Sequence, residues 1–236
     1  MTKKSCTCII PFYNETFQQL KSIIATISLV ENIEKIICVD DGSQNETVWL
    51  DLRNEYKEIT VIRLSENSGK SAAIRAGLQH VHTPYVLLFD SDLQNVKKIE
   101  LESALCYILE NPLIDMLILR RISDPWFAKI IRGEILTSGE RILKTHDLVR
   151  VYTENKPAKY QLEYAINFYC MKYGKKAYWY PCSGQNIVKI RKIGFVRGVK
   201  NEIMMYVDML RYAGVVMPLK SLLLFCREDI RSARTI

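Results

Sequence analysis

The amino-acid sequence predicts an α/β protein whose central sheet is mostly parallel, with helices on both faces. Short apolar runs alternate with longer segments of helical periodicity through residues 1–95. The apolar runs are continuous and do not alternate with polar residues, which indicates strands that are buried on both faces. Polar clusters follow the runs, and in a parallel sheet the carboxyl ends of the strands share one edge, where ligands bind.

Each element of this first half is predicted from its own pattern. Four apolar runs are predicted to be buried strands: Cys6–Ile10, Ile36–Val39, Thr60–Leu64 and Tyr85–Phe89. The three segments between them are predicted to be helices: Phe17–Val30, Glu46–Tyr56 and Ser71–His80. A helix between two strands allows the strands to run parallel, so the order of elements agrees with the predicted sheet.

The regular alternation ends after Asp92. Further helices are predicted over Lys97–Leu109, Lys159–Tyr173 and Val199–Ala213, and further strands over Ile114–Leu119 and Ala177–Tyr180. Residues 123–144 are predicted to be irregular because Pro and Gly interrupt them. We expect one main domain over residues 1–185 and a basic, amphipathic helical extension over residues 186–236.

Charge is unevenly placed along the chain. The net charge is +7, and residues 187–236 contain ten Lys or Arg but only four Asp or Glu. Such a bias can attract phosphates, nucleic acid or an anionic membrane surface, although an ordinary solvated basic face has the same composition. We expect no nucleic-acid partner.

No uninterrupted apolar run has the roughly 18 residues that a membrane-spanning helix needs. The seven cysteines lack the spacing of a metal site, which favours reduced, mostly buried thiols. We therefore expect a cytoplasmic protein that can also lie on the cytoplasmic face of a membrane.

The segment Asp90-Ser91-Asp92 carries the strongest chemical signal. Two carboxylates two residues apart, directly after a buried strand, can converge on one hard cation such as Mg²⁺ or Mn²⁺. The alternative is a strand-to-helix turn in which an aspartate caps the next helix. The other polar strand ends favour the cation site.

Gly69 and Lys70 form a turn, and Lys70 opens the helix predicted over Ser71–His80, where backbone amides favour anions. The segment is not a complete phosphate-binding P-loop, because Leu64 occupies the position of its first glycine. The chain also lacks the glycine pattern of dinucleotide-binding folds and the G-x-S-x-G elbow of hydrolases.

Together these segments resemble the family 2 glycosyltransferases of GT-A fold. Four segments carry the resemblance: CIIPFYNE (Cys8–Glu15), ICVDDGS (Ile37–Ser43), ENSGKSAAIRAGL (Glu66–Leu78) and YVLLFDSDLQ (Tyr85–Gln94). Within the family, DSDLQ is similar to a motif of the polyprenyl-phosphate sugar transferases, such as dolichyl-phosphate mannose synthase. Two later segments, Thr137–Lys144 and Tyr160–Gly184, resemble the same subgroup.

The resemblance implies an enzyme that inverts the anomeric carbon of a sugar taken from a nucleotide diphosphate. It implies a nucleoside pocket formed by Pro11, Tyr13, Glu15 and Asp41, with Asp41 or the adjacent Asp40 facing the base. Gly69 and Lys70 would lie near the nucleotide.

The resemblance also implies roles for residues around the cation. Asp90 would lie near the ribose or the metal, Asp92 would ligate the metal, and Gln94 would touch the donor sugar or the acceptor phosphate. Phosphate contacts would come from Arg121 and Arg141. Because the segment between Arg121 and Ser138 is shorter than in the dolichyl enzymes, Arg120 and Arg132 are alternatives.

The acceptor decides whether the reaction needs a base. A polyprenyl phosphate is already ionised and needs only cationic orientation. A glycan or protein hydroxyl needs a carboxylate to take its proton, for which Glu163 is the first candidate and Glu140 the second. A third hypothesis is a nucleotide-binding protein without catalysis.

Overall fold

A seven-stranded sheet forms the centre of the protein, in the strand order β3-β2-β1-β4-β7-β6-β8. The computed structural model describes residues 5–123, 133–186 and 216–232. Strand β7 is antiparallel to both of its neighbours, and all other strand pairs in this sheet are parallel. The predicted α/β architecture with a mostly parallel sheet is confirmed.

The strands are β1 (Cys6–Phe12), β2 (Ile33–Asp40), β3 (Thr60–Arg63), β4 (Tyr85–Leu88), β5 (Leu93–Gln94), β6 (Met116–Arg121), β7 (Arg141–Lys144), β8 (Ala177–Cys182) and β9 (Gln185–Asn186). The helices are α1 (Phe17–Ser28), α2 (Thr47–Glu55), α3 (Lys70–Leu78), α4 (Lys98–Glu110), α5 (Gly133–Leu136), α6 (Thr145–Asn155), α7 (Leu162–Lys172) and α8 (Val216–Leu224). Strands β5 and β9 form a separate antiparallel pair, in which Gln94 lies opposite Gln185.

Two apolar cores lie on opposite faces of the sheet. Helices α1, α2 and α4 supply the core on one face, and α3, α5, α6 and α7 supply the core on the other. Strand β1 contributes to both because successive side chains of a strand point to opposite faces: Ile10 joins the first core and Ile9 the second. This double burial explains the continuous apolar runs in the sequence.

Strand β7 and helices α5 and α6 are absent from the sequence-based prediction. Residues 123–144 were predicted to be irregular, and in its described part this prediction is wrong: α5 forms over Gly133–Leu136, and β7 inserts antiparallel between β4 and β6. The strand has four residues and begins and ends with a charged one, so it shows no apolar run. Its buried Arg141 is paired with protein oxygens, as described below.

The predicted helix Val199–Ala213 lies outside the described residues. Within the described part of the chain, no helix is both long and apolar enough to cross a membrane. Residues 228–230 return to the sheet, where the amide of Trp179 donates to the carbonyl of Glu228 (3.1 Å) and the amide of Ile230 donates to the carbonyl of Trp179 (3.0 Å). The division at residue 185 stays a prediction.

Candidate active site

The turn before α3 is held by Asp41, which lies just past the end of β2. Its two carboxylate oxygens accept hydrogen bonds from the amides of Ser68 (2.9 Å) and Gly69 (2.8 Å). Burial raises the pKa of Asp41 above its ordinary value, and the charge of Asp40 adds to this, although the two amide bonds oppose it. Asp41 therefore braces the turn, and its role beside a nucleobase stays a prediction.

Gly69 is required by geometry at this turn. Its φ of +92° lies in a region that residues with a side chain rarely adopt, and a Cβ there would approach the Cα of Lys159 to 2.8 Å. The amide and hydroxyl of Ser71 both donate to the carbonyl of Lys159, at 2.9 and 2.7 Å. One amide of the first turn of α3, that of Ser71, is thus occupied by an acceptor from the protein itself.

Lys70 lies between two carboxylates from different parts of the chain. Its Nζ is 2.5 Å from Oδ1 of Asp90, past the end of β4, and 2.7 Å from Oε1 of Glu163, in the first turn of α7. Burial acts to lower the pKa of Lys70, but attraction to Asp90 and Glu163 outweighs it and raises the pKa. Lys70 therefore stays charged.

Gly139, in the loop before β7, lies close to Asp90 and Lys70 because it has no side chain. A Cβ on Gly139 would overlap the Asp90 carboxylate and the Lys70 ammonium. The loop before β7 consequently packs its backbone directly against the ion pairs at the carboxyl edge of the sheet.

Asp90 and Asp92 fit a hard divalent cation. Both carboxylates are partly exposed just past β4, and oxygen donors are what Mg²⁺ and Mn²⁺ prefer. Among the described residues, no group of three His, Cys, Asp or Glu could hold a metal. The donor set therefore suits a cation bound by one or two carboxylates together with substrate phosphates, and not an all-protein cage.

A buried ion pair lies beside this cluster. Nη1 of Arg121 and the hydroxyl of Ser138 both donate to Oε2 of Glu140, each at 2.9 Å. Glu140 is fully buried, and its Oε1 accepts no hydrogen bond from a described residue. Burial raises the pKa of Glu140 to about 7, and the charge of Asp90 adds to this, although Arg121 and Lys70 oppose it.

Arg141 does not have the position expected of a phosphate-binding residue. Its side chain is fully buried, and its N–H groups donate to protein oxygens. The acceptors are the carbonyls of Ser138, Ile135, Leu136 and Glu163 and the Oδ1 of Asn167, at 2.5–3.4 Å. A guanidinium has five N–H donors, and five hydrogen bonds are made here. Arg141 instead organises the segment from α5 to α7.

Arg120, the alternative phosphate contact, is also paired within the protein. It makes an ion pair with the buried Glu134 (2.8 Å) and stacks on Trp179, with its Cζ 4.6 Å from the ring centroid. Arg120 and Arg121 are successive residues of β6, so their side chains point to opposite faces of the sheet. Arg132 lies outside the described residues.

The remaining predicted residues lie in or just after strands, with Gln94 in the separate β5–β9 pair. Pro11 is buried in β1, Tyr13 and Gln94 are exposed, and Glu15 is partly exposed. Asp40 is fully buried at the end of β2, where its Oδ1 accepts from the amide of Ser43 at 2.9 Å. Their contacts with a substrate stay predictions.

Arg63 was not among the predicted site residues. It ends β3, lies 3.8 Å from Oδ2 of Asp40, and donates to the carbonyl of Ser43 at 3.2 Å. Oδ2 of Asp40 accepts no hydrogen bond from a described residue. The sequence did hold a signal for this residue: Arg63 is a cation at the end of a predicted strand, and polar residues at the ends of parallel strands lie close together.

Comparison with known proteins identifies the family to which the chain belongs. A family model described as "Glycosyl transferase family 2" matches residues 7–176. The chain is 34% identical over 98 residues to an undecaprenyl-phosphate 4-deoxy-4-formamido-L-arabinose transferase of Salmonella choleraesuis, covering 39% of this chain and 30% of that protein. It is 34% identical over 94 residues to the dolichyl-phosphate beta-glucosyltransferase ALG5A of Trichomonas vaginalis, covering 36% and 29%. The match thus spans less than a third of the length of these relatives.

Solved structures share the fold over most of the chain. Glucosyl-3-phosphoglycerate synthase from Mycobacterium tuberculosis, in complex with Mn²⁺, uridine diphosphate and glucosyl-3-phosphoglycerate, superimposes with a TM-score of 0.66. The alignment covers 90% of this chain and 81% of that one, at 15% sequence identity. At this identity the likeness shows the fold alone.

Proposed function

The chain belongs to glycosyl transferase family 2, and from this premise we propose that it moves a sugar from a nucleoside diphosphate sugar to a lipid phosphate, with inversion at the anomeric carbon. The proposal rests on the turn between β3 and α3, which contacts the residues that follow β2 and β4. Asp41 holds the amide of Gly69, and the next residue, Lys70, holds Asp90. Residues suited to the base, the diphosphate and a cation therefore lie side by side.

The donor half of the reaction needs charge stabilisation at the leaving group. Asp90 and Asp92 would hold the cation, and Lys70 keeps a positive charge beside them. When bound there, Mg²⁺ or Mn²⁺ supplies positive charge that stabilises the diphosphate as the anomeric bond breaks. A solved structure of the same fold, in complex with Mn²⁺ and uridine diphosphate, supports this donor class.

A lipid phosphate is the proposed acceptor because two relatives are named for undecaprenyl-phosphate and dolichyl-phosphate. Such an acceptor is ionised and needs orientation by cations but no base. We assign this role to Arg121, although it is buried and ion-paired with Glu140, and Arg132 is a second candidate outside the described residues. The basic residues 187–236 would meet anionic headgroups, and we propose peripheral membrane association on that ground.

Glu140 favours a second candidate function, transfer to a hydroxyl group. A carboxyl whose pKa is about 7 is suited to exchange a proton near neutral pH, although the full burial of Glu140 keeps it from direct contact with an acceptor in this structure. Screening ionised phosphate acceptors against hydroxyl acceptors separates the two functions. Turnover with hydroxyl compounds alone would favour the second.

Replacing Asp92 tests the donor site. We expect nucleoside diphosphate sugars to raise the melting temperature of the wild-type protein, and Mn²⁺ to enlarge the shift, because a ligand that binds only the folded state stabilises it by mass action. At a ligand concentration of about 100 times Kd the stabilisation is about 2.7 kcal/mol. Asp92→Asn should lose the part of the shift that depends on Mn²⁺.

Asp51→Asn is the matched control, since Asp51 is exposed on α2, away from the strand-end site. It should behave like the wild type. If Asp92→Asn kept full metal-dependent stabilisation and transfer, the assignment of the cation site would be wrong.

A further inference from the structure

The ammonium of Lys70 is shared between the two halves of the protein. Asp90 comes from the βα half, which carries the donor-site motifs, and Glu163 comes from α7. The Lys70 and Asp90 side chains are 19% and 23% exposed, and that of Glu163 is only 7% exposed. Lys70 and Glu163 are thus buried deeply enough for their charges to interact strongly.

The backbone around this ion triad is fixed from several sides. Ser71, next to Lys70, donates to the carbonyl of Lys159, which lies just before α7. Arg141 donates to the carbonyl of Glu163 (3.4 Å) and to Asn167 (2.5 Å), one turn further along α7. Glu163 is therefore held at a set position relative to the ammonium.

The position of Glu163 has an electrostatic consequence for Asp90. If an ammonium pairs with a single carboxylate, its positive charge is balanced by that carboxylate alone. A second carboxylate, 2.7 Å away on the other side, shares the ammonium and limits its hold on Asp90. With both carboxylates ionised the triad has a net charge of −1, so the ammonium does not cancel the negative charge that a divalent cation meets, while it keeps the Asp90 carboxylate oriented.

We propose that Glu163 is a positioning residue, which acts through Lys70 to keep Asp90 oriented and available to the cation. This role differs from that of the proton-accepting base considered above. The inference rests on the proposed function, since it concerns the same donor site.

The test is the apparent Kd of Mn²⁺ in the presence of a nucleoside diphosphate, measured by electron paramagnetic resonance of free Mn²⁺ and by thermal shift. Glu163→Gln should raise this Kd about tenfold, the size expected when one charge-assisted interaction is lost. Glu163→Asp keeps the charge with a shorter reach, and it should give an intermediate Kd. Binding of the nucleoside diphosphate without metal should change little.

Glu55→Gln is the matched control, because it also removes a carboxylate 2.7 Å from a lysine, Lys21, at an exposed pair between α1 and α2. Its Kd for Mn²⁺ should equal that of the wild type.

An unchanged Kd in both Glu163 variants, with kcat lost only for hydroxyl acceptors, would overturn the positioning role in favour of a base. If Glu163→Gln does not fold, the Glu163→Asp comparison decides alone. A wild-type protein that binds no nucleoside diphosphate with Mn²⁺ would instead reject the proposed function.

Discussion

Glu140 shows how one buried residue links stability to pH. It is fully buried, and only one of its two carboxylate oxygens is hydrogen-bonded by described residues. Burial therefore raises its pKa from the ordinary 4.5 to about 7. Between these two values the folded protein holds a proton that the unfolded chain has released, so the contribution of Glu140 to stability falls as pH rises through this window.

Glu140→Gln should remove this pH dependence. Relative to the variant, the wild type should lose stability between about pH 4.5 and pH 7, by up to about 3 kcal/mol for a shift of this size. The free energy of unfolding from urea titrations at several pH values measures the difference. Parallel curves for the two proteins would contradict the raised pKa.

The contacts of Arg141 could not be predicted from the sequence. Its motif resemblance implied a phosphate contact, but the residue is enclosed by carbonyls of α5, α7 and the loop between α5 and β7. The resemblance placed Arg141 in a shared motif, whereas the direction of a side chain depends on tertiary partners that are distant in sequence. Asp41, Lys70 and Asp90 were predictable as neighbours because strand ends alone bring them together.

At the scale of elements, the first four strands were predictable and the later ones less so. Strands β1, β2, β3 and β4 are linked through helices, and β1, β2 and β4 are apolar enough to show their burial directly in the sequence. Strand β7 is short and antiparallel, and it is held by its two neighbours. Its position depends on those contacts, and no local sequence pattern predicts the strand.

Gly139→Ala tests whether the loop before β7 must approach the ion triad. The new Cβ would overlap Asp90 and Lys70, so we expect binding of nucleoside diphosphate with Mn²⁺ to weaken by more than about tenfold, the equivalent of 1.4 kcal/mol. Isothermal titration calorimetry measures this, and circular dichroism checks the fold.

Gly174→Ala serves as the control for stability alone. Gly174 has a φ of +59° but no atom within 4 Å of a built Cβ. The alanine should cost about 1–2 kcal/mol of stability through backbone strain and leave nucleotide affinity unchanged. Equal losses of affinity in both variants would show that the effect of Gly139→Ala is not local to the site.

At the scale of the whole molecule, cationic and apolar groups meet on the described part of the C-terminal region. Helix α8 ends in Leu223 and Leu224, which are 61% and 70% exposed, and Lys220 and Arg227 are exposed on either side. Exposed leucines flanked by cations are typical of surfaces that enter the interfacial layer of a membrane. The charge bias of residues 187–236 extends the same character along the chain.

We expect the full chain to co-sediment with anionic vesicles at low salt and to be released as salt screens the headgroup charge. Replacing Leu223 and Leu224 by serine should weaken sedimentation, since the apolar contribution is lost while the charges remain. Leu113→Ser is the matched control, because Leu113 is 58% exposed in the loop between α4 and β6, and it should leave binding unchanged. A protein that stays in the supernatant at every salt concentration would contradict peripheral membrane association. Transfer to a lipid phosphate would then require an acceptor delivered in soluble form.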